Sequence, residues 1–214
     1  MAVISQIKAT SDNVDYNIRD DYSIWGGRNL LRGTKDFSNI GVASTESGYL
    51  SAVSGTIGDS YNNLVSKSIT SASTGVVGQW YILNCKNSES YTLSFYAKGS
   101  GSPRCYFYGP SGYIPVASMI NSAGGMGTSA DGNSDTGTKI TVTSEWKRYW
   151  VTWTLAASGG TVTSKYCLIR NDNKGDYSVC GVKLERGTKP TNWSPAPEDI
   201  ARFIGNETIE LYSE

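Results

Sequence analysis

From Ser90 to Lys98 the chain alternates without a break. Tyr91, Leu93, Phe95 and Ala97 take one phase; Thr92, Ser94, Tyr96 and Lys98 take the other. Period two is the spacing of a half-buried strand, because successive side chains leave a pleated backbone on opposite sides. Arg148 to Leu155 repeats the pattern, with Tyr149, Val151, Trp153 and Leu155 in one phase and Arg148, Trp150, Thr152 and Thr154 in the other. One-sided strands of this kind must share a core with further strands, and the rest of the chain supplies them.

Strands are expected at 48–53, 63–70, 76–83, 104–108, 139–143, 165–170 and 177–185. In 104–108, Cys105 and Phe107 share the inward phase, with Tyr106 and Tyr108 outward; Cys167 is in phase with Ile169. Gly, Ser, Asn and Asp cluster between these segments, as at Asn171–Asp176, where turns are expected. Eight or nine short strands without helical alternation predict an all-β, antiparallel two-sheet β-sandwich. Its core would hold Leu93, Phe95, Phe107, Val151, Trp153, Ile169 and Leu184. Residues 109–137 form a long, Gly- and Ser-rich excursion, uncommon in a compact domain unless functional or packed on its surface. Residues 1–28 read as an N-terminal docking arm, 29–194 as the sandwich, and 195–214 as a C-terminal tail with a short helix from Glu198 to Ile204. Both extensions have too few apolar residues for a core of their own.

Composition removes several functions. The chain contains no histidine, which excludes Ser-His-Asp and Cys-His nucleophile systems and His-ligated metals. The 19 basic residues are balanced by 19 acidic ones, against a basic excess for nucleic acid. The N-terminus lacks the apolar run of a signal peptide, and no stretch is apolar enough to span a bilayer, which predicts synthesis and folding in a cytoplasm and no membrane insertion. Cys85, Cys105, Cys167 and Cys180 have no metal-knuckle or redox spacing. They read as buried thiols, with a Cys167–Cys180 bridge across a hairpin as the alternative. Asp131, Asp135, Asp172 and Asp176 lie in turn-like sequence, so they read as solvated turn formers rather than a glycosidase pair. Asp172 and Asp176 are also candidates for holding a cation, though their spacing matches no EF-hand loop. No catalytic residue is assigned and no enzyme is expected.

Tyr91–Gly99, Glu145–Tyr149 and Thr152–Leu155 resemble strands of jelly-roll carbohydrate-binding modules. The close Val182-Lys-Leu-Glu-Arg-Gly-Thr-Lys-Pro-Thr-Asn-Trp-Ser-Pro-Ala-Pro-Glu-Asp resembles the ending of such modules in bacteriophage tail and baseplate proteins, and Asn29-Leu-Leu resembles their opening. Tyr16–Asp20 is similar to a short segment near the start of phage tail and fibre proteins. The resemblance covers about residues 29–199. It implies a jelly roll and a virion protein that binds host surface carbohydrate. Calcium is a possible cofactor, since many such modules hold it with an acid close to the last strand; Cys180 and Gly181 stand there instead. No other cofactor is expected.

Sugars are bound by aromatic rings against the apolar side of a pyranose, with polar groups on the hydroxyls. Tyr96, Tyr106, Tyr108 and Trp150 all lie in the phase opposite to the core, with Arg104, Arg148 and Lys98 beside them in sequence. Neighbouring strands would join them into one exposed platform for a neutral or mildly acidic glycan; Tyr113 in the excursion is the alternative site. The competing function is structural, with the aromatic face a subunit interface in virion assembly. The expected partners are host glycan, other virion proteins and further copies of the chain, a homotrimer by analogy with tail appendages.

Overall fold

The computed structural model describes residues 6–11, 14–19, 27–39, 42–70, 74–83, 85–109, 112–113, 116–122, 138–157, 164–172 and 175–199. Asp131, Asp135 and nearly all of the expected 198–204 helix lie outside them. β1 (Gln6–Ser11) and β2 (Val14–Arg19) make an antiparallel hairpin that, among the described residues, pairs only with itself. The sandwich is built from β3 (Tyr49–Ala52), β4 (Thr56–Ile57), β5 (Lys67–Ile69), β6 (Thr74–Leu83), β7 (Ser90–Gly99), β8 (Arg104–Gly109), β9 (Gly112–Tyr113), β10 (Val116–Asn121), β11 (Thr138–Lys139), β12 (Lys147–Leu155), β13 (Ser164–Asp172) and β14 (Tyr177–Arg186).

One sheet has the order β10-β12-β7-β14-β5-β4. The second runs β11-β8-β13-β6-β3, with β9 paired to β8. All pairs are antiparallel. From β5 to β8, and from β10 to β14, each strand crosses to the opposite sheet, the winding of a jelly roll. The seven expected core residues are all buried between the sheets. Phe107 of the second sheet stacks between Tyr91 and Trp153 of the first, with ring centroids 5.5 Å away on both sides. Such aromatic stacks add to the burial term and fix how the sheets sit. On β6, Gly78 makes room for the Trp80 indole: a Cβ there would lie 2.3 Å from the ring.

The expected strand at 139–143 is mostly not a ladder. Only Thr138 and Lys139 pair with β8. Beyond them the chain runs beside 99–103, with Ile140 N–H donating to Pro103 O (3.0 Å) and Val142 N–H to Gly101 O (3.1 Å). Pro103 has no N–H to return a bond, so the ladder stops there. Ile140 and Val142 are nonetheless buried. The excursion holds an unexpected strand: β10 closes the edge of the first sheet against β12.

All four cysteines are buried free thiols, as expected. Burial pushes the Cys105 and Cys167 thiols up. The alternative Cys167–Cys180 bridge does not form: Cys167 faces the core from the second sheet, whereas Cys180 stands in register with Tyr96 on the outward phase of the first.

The opening and the exit of the sandwich are fastened together. The Asn29 side chain is fully buried; its amide donates to Thr34 Oγ1 (3.0 Å), Val182 O (3.3 Å) and Ser194 O (3.1 Å), and its carbonyl accepts from Leu31 and Leu184 N–H. Trp193 Nε1 donates to Thr34 Oγ1 at 3.2 Å, Arg28 pairs with Glu198, and Gly33 N–H donates to Asp199 Oδ2 at 2.9 Å. These bonds give Asn29 and the Trp-Ser-Pro exit a physical reason to occur together.

Candidate functional site

The outward side chains of the two sheets meet different surroundings. On the first sheet, Thr92, Ser94, Thr152, Lys183 and Glu185 point away from the core, yet all are buried. The chain after β14 folds back over them. Thr92 Oγ1 donates to Gly187 O at 2.8 Å, and Arg148 donates to Ser94 Oγ at 2.9 Å and to Thr191 O. Lys183 Nζ donates to Thr191 Oγ1 and Asn192 O, both at 2.8 Å, and lies 3.7 Å from Glu185. The Glu185 carboxylate accepts from Thr191 N–H (2.7 Å) and Oγ1–H (2.6 Å). Burial lowers the Lys183 amine to about 8; Glu185 opposes that shift and Arg148 adds to it.

Glu185 is the one acid on β14, and its oxygens already serve Thr191 and Lys183. Among the described residues no group of three His, Cys, Asp or Glu is placed to hold a metal.

Toward the other end of the same face, a loop is held on the sheet by aromatic stacking. Tyr61 stacks on Trp146 (4.9 Å, 19° between planes) and tilts against Tyr96 (5.3 Å). Lys98 Nζ lies 5.3 Å from the Trp146 ring and 3.2 Å from Asp59, while the Arg148 guanidinium lies 5.8 Å from the Tyr96 ring. Cation, ring, ring, ring and cation follow one another, so these aromatic faces are largely turned to partners within the chain. Beneath them β14 bulges between Cys180 and Lys183. Gly181 takes φ +56 there, and a Cβ would meet Leu64 at 2.8 Å and Tyr96 at 3.0 Å, so both backbone and space call for glycine.

The outer face of the second sheet carries rows in register. Tyr49 pairs with Tyr81, Tyr81 with Tyr166, Tyr166 with Tyr108 and Tyr108 with Tyr113, so five tyrosine positions cross five adjacent strands. Tyr49, Tyr81 and Tyr166 are half-buried; the Tyr81 and Tyr166 rings are 5.4 Å apart at 56°. Two residues along the strands lie Gln79, Leu168 and Tyr106. Two further on, Arg170 pairs with Arg104 and Arg104 with Lys139. Between the two rows Leu168 (8 % exposed) and Tyr106 (5 % exposed) are buried although they stand in the outward phase.

The expected platform is therefore not one surface. Tyr96, Arg148, Trp150 and Lys98 belong to the first sheet; Arg104, Tyr106 and Tyr108 belong to the second, because the chain crosses over between β7 and β8. Tyr96 and Arg148 are engaged in the stack, Trp150 is half-buried opposite Ser94, and Tyr106 is buried. The side chains of Tyr108 and Tyr113 lie outside the described residues. Sequence reasoning missed Tyr49, Tyr81, Tyr166, Tyr61 and Trp146. The phase of Tyr166 against the core residues Cys167 and Ile169 was the available signal; nothing in the local pattern announced Tyr61 or Trp146.

No family model and no curated protein matches the sequence. Solved structures are similar at low identity. A candidate sugar-binding protein of Bacteroides thetaiotaomicron is 15 % identical over 75 % of this chain and 100 % of that one, TM-score 0.45. The CBM22-1 xylan-binding domain of Paenibacillus barcinonensis Xyn10C is 13 % identical over 65 % of this chain and 83 % of that one, TM-score 0.35. The enzymatically active domain of bacteriophage CBA120 tailspike protein 4 is 12 % identical over 63 % of this chain, TM-score 0.36. This chain covers 17 % of that tailspike domain's length. The class that the strands themselves define is an all-β, two-sheet antiparallel jelly-roll sandwich.

Proposed function

We propose that the chain is a non-catalytic virion protein of a phage tail, baseplate or fibre that binds host cell-surface carbohydrate to aid adsorption. One observation carries the binding part: the tyrosine row on the outer face of the second sheet, with Tyr49, Tyr81 and Tyr166 on adjacent strands and Gln79 beside them. Aromatic rings one strand apart offer successive apolar surfaces, and phenol and amide groups bond hydroxyls. The virion part rests on the sequence resemblance of Tyr16–Asp20 and of the close from Val182 to Asp199. The absence of histidine supports binding without catalysis.

A second reading, assembly through a subunit interface, is favoured by the β1–β2 hairpin. A two-stranded hairpin is marginal alone in water, so one that joins neither sheet of the sandwich among the described residues suits docking on another chain, in a homotrimer or on a virion protein. The two readings are compatible, since hairpin and tyrosine row are separate. The test is a glycan array with the full chain and with Tyr81→Ala. Retention by the wild type and its loss in the variant, with an unchanged circular dichroism spectrum, is expected. Retention by both would exclude this face, and retention by neither would leave the assembly role.

A further inference from the structure

We infer that two copies of the chain join edge to edge through β2, so that their two-stranded hairpins become one four-stranded antiparallel sheet; this rests on the reading that the hairpin docks on another chain, and makes that chain a second copy. Ile7 stands opposite Ile18, Ala9 opposite Tyr16 and Ser11 opposite Val14; the alternate pairs are Gln6 with Arg19, Lys8 with Asn17 and Thr10 with Asp15. Partners in an antiparallel ladder share a face, so one face of the hairpin holds Ile7, Ala9, Val14, Tyr16 and Ile18 and the other is polar and charged. Among the described residues each strand of the hairpin has a neighbour on one side only. Its other side offers a row of N–H and C=O groups as a template for a further strand. Two strands are marginal in water, whereas three or more with a hydrophobic face can be stable.

Charge selects the edge and the register. When a strand pairs with its own copy across a two-fold axis, apolar positions meet apolar ones only if the axis passes through a residue; a slip by one sets the apolar phase against the polar one. On β2, an axis at Asn17 sets Tyr16 opposite Ile18 of the second copy and Asp15 opposite Arg19 of the second copy, and the symmetry makes each pair twice. Other centres on β2 lose this. An axis at Asp15 or Arg19 brings like charges together, one at Tyr16 leaves Asp15 opposite Asn17, and one at Ile18 sets Tyr16 opposite Asp20. On β1, an axis at Lys8 opposes two ammonium groups, and one at Ile7 or Ala9 makes no charge pair. An axis at Thr10 reaches an acid only at Asp12, beyond the strand. Cross-strand pairs of opposite charge stabilise a sheet and like charges weaken it, so β2 centred on Asn17 is the favoured self-pairing.

Charge reversal in the full chain tests the pairing, with sedimentation equilibrium over a range of concentrations as the measurement and circular dichroism as the check on folding. The wild type should show a monomer–dimer equilibrium that salt weakens. Asp15→Lys and Arg19→Glu should each weaken the dimer about tenfold or more, since each turns two opposite-charge pairs into like-charge ones. An equimolar mixture of these two variants should recover the dimer, because each reversed position then meets an opposite charge on the other chain. The double variant Asp15→Arg, Arg19→Asp should recover it alone. A dimer that Tyr16→Asn weakens but neither charge reversal does would overturn the two-fold register and leave assembly through the hairpin standing. A dimer indifferent to all of these variants would overturn both. A trimer, or a monomer at every concentration, would overturn the pairing and leave the hairpin to dock in another way.

Discussion

The sandwich has two outward faces, and the chain treats them differently. On the first sheet, outward polar residues of β7, β12 and β14 are covered by residues 187–194, and Tyr96 is stacked under Tyr61. On the second, Tyr49, Tyr81 and Tyr166 line up in register with exposed cations four residues away. Both faces show the same alternation in sequence. Their difference teaches that an outward aromatic residue is evidence of a binding surface only once the chain's own loops are known to lie elsewhere.

The strongest way to break this contrast is to disturb the covered face. Lys183→Met should destabilise the protein by about 3–5 kcal/mol in urea unfolding, because Glu185 is left buried without its cation. Adding Glu185→Leu should recover much of the loss. A Lys183→Met protein as stable as wild type would show that the exit segment does not seal this face. Trp146→Ala should cost about 2 kcal/mol, since it removes the ring between Tyr61 and Lys98.

Titration sharpens the same point. Lys183 has a folded value of about 8 against an ordinary 10.5, so above pH 8 the unfolded chain holds the proton more tightly than the folded one. Its contribution to stability should therefore rise between pH 8 and 10.5, by up to about 3 kcal/mol, and the Lys183→Met, Glu185→Leu double variant should lack that rise. The smallest stability effect is expected at the tyrosine row. Tyr81→Ala should move the unfolding free energy by less than about 1 kcal/mol while removing glycan retention. A loss as large as that of Trp146→Ala would mean that the tyrosine row is a structural stack like the other.

The inner half of the molecule was legible in the sequence. Strict alternation at 90–98 and 148–155 identifies Leu93, Phe95, Val151 and Trp153 as core, because a pleated strand with one wet side leaves no other assignment. The partition of the outer residues was not legible. Tyr96 and Tyr106 are ten residues apart and in the same phase, yet the crossover between β7 and β8 sends them to opposite faces. Alternation reports the side of a strand and carries no record of which sheet the strand joins. The tyrosine row depends on register between β3, β6, β13 and β8, segments far apart in sequence, so no local window contains it. The cover over Lys183 and Glu185 was hidden for a different reason: a charged pair near the end of a strand ordinarily reads as solvated, and here Thr191 and Asn192 return to enclose it.

The bonds that join residues 28–34 to 193–199 also decide how the sandwich carries mechanical load. Tension applied through the segments before Gly27 and after Asp199 would meet the Arg28–Glu198 pair, the Asn29–Ser194 bond and the Gly33–Asp199 bond before it reached any strand of either sheet. The sheets hang beside the line of force as a side loop, and tension between the two ends would strain this fastening while leaving the tyrosine face undistorted.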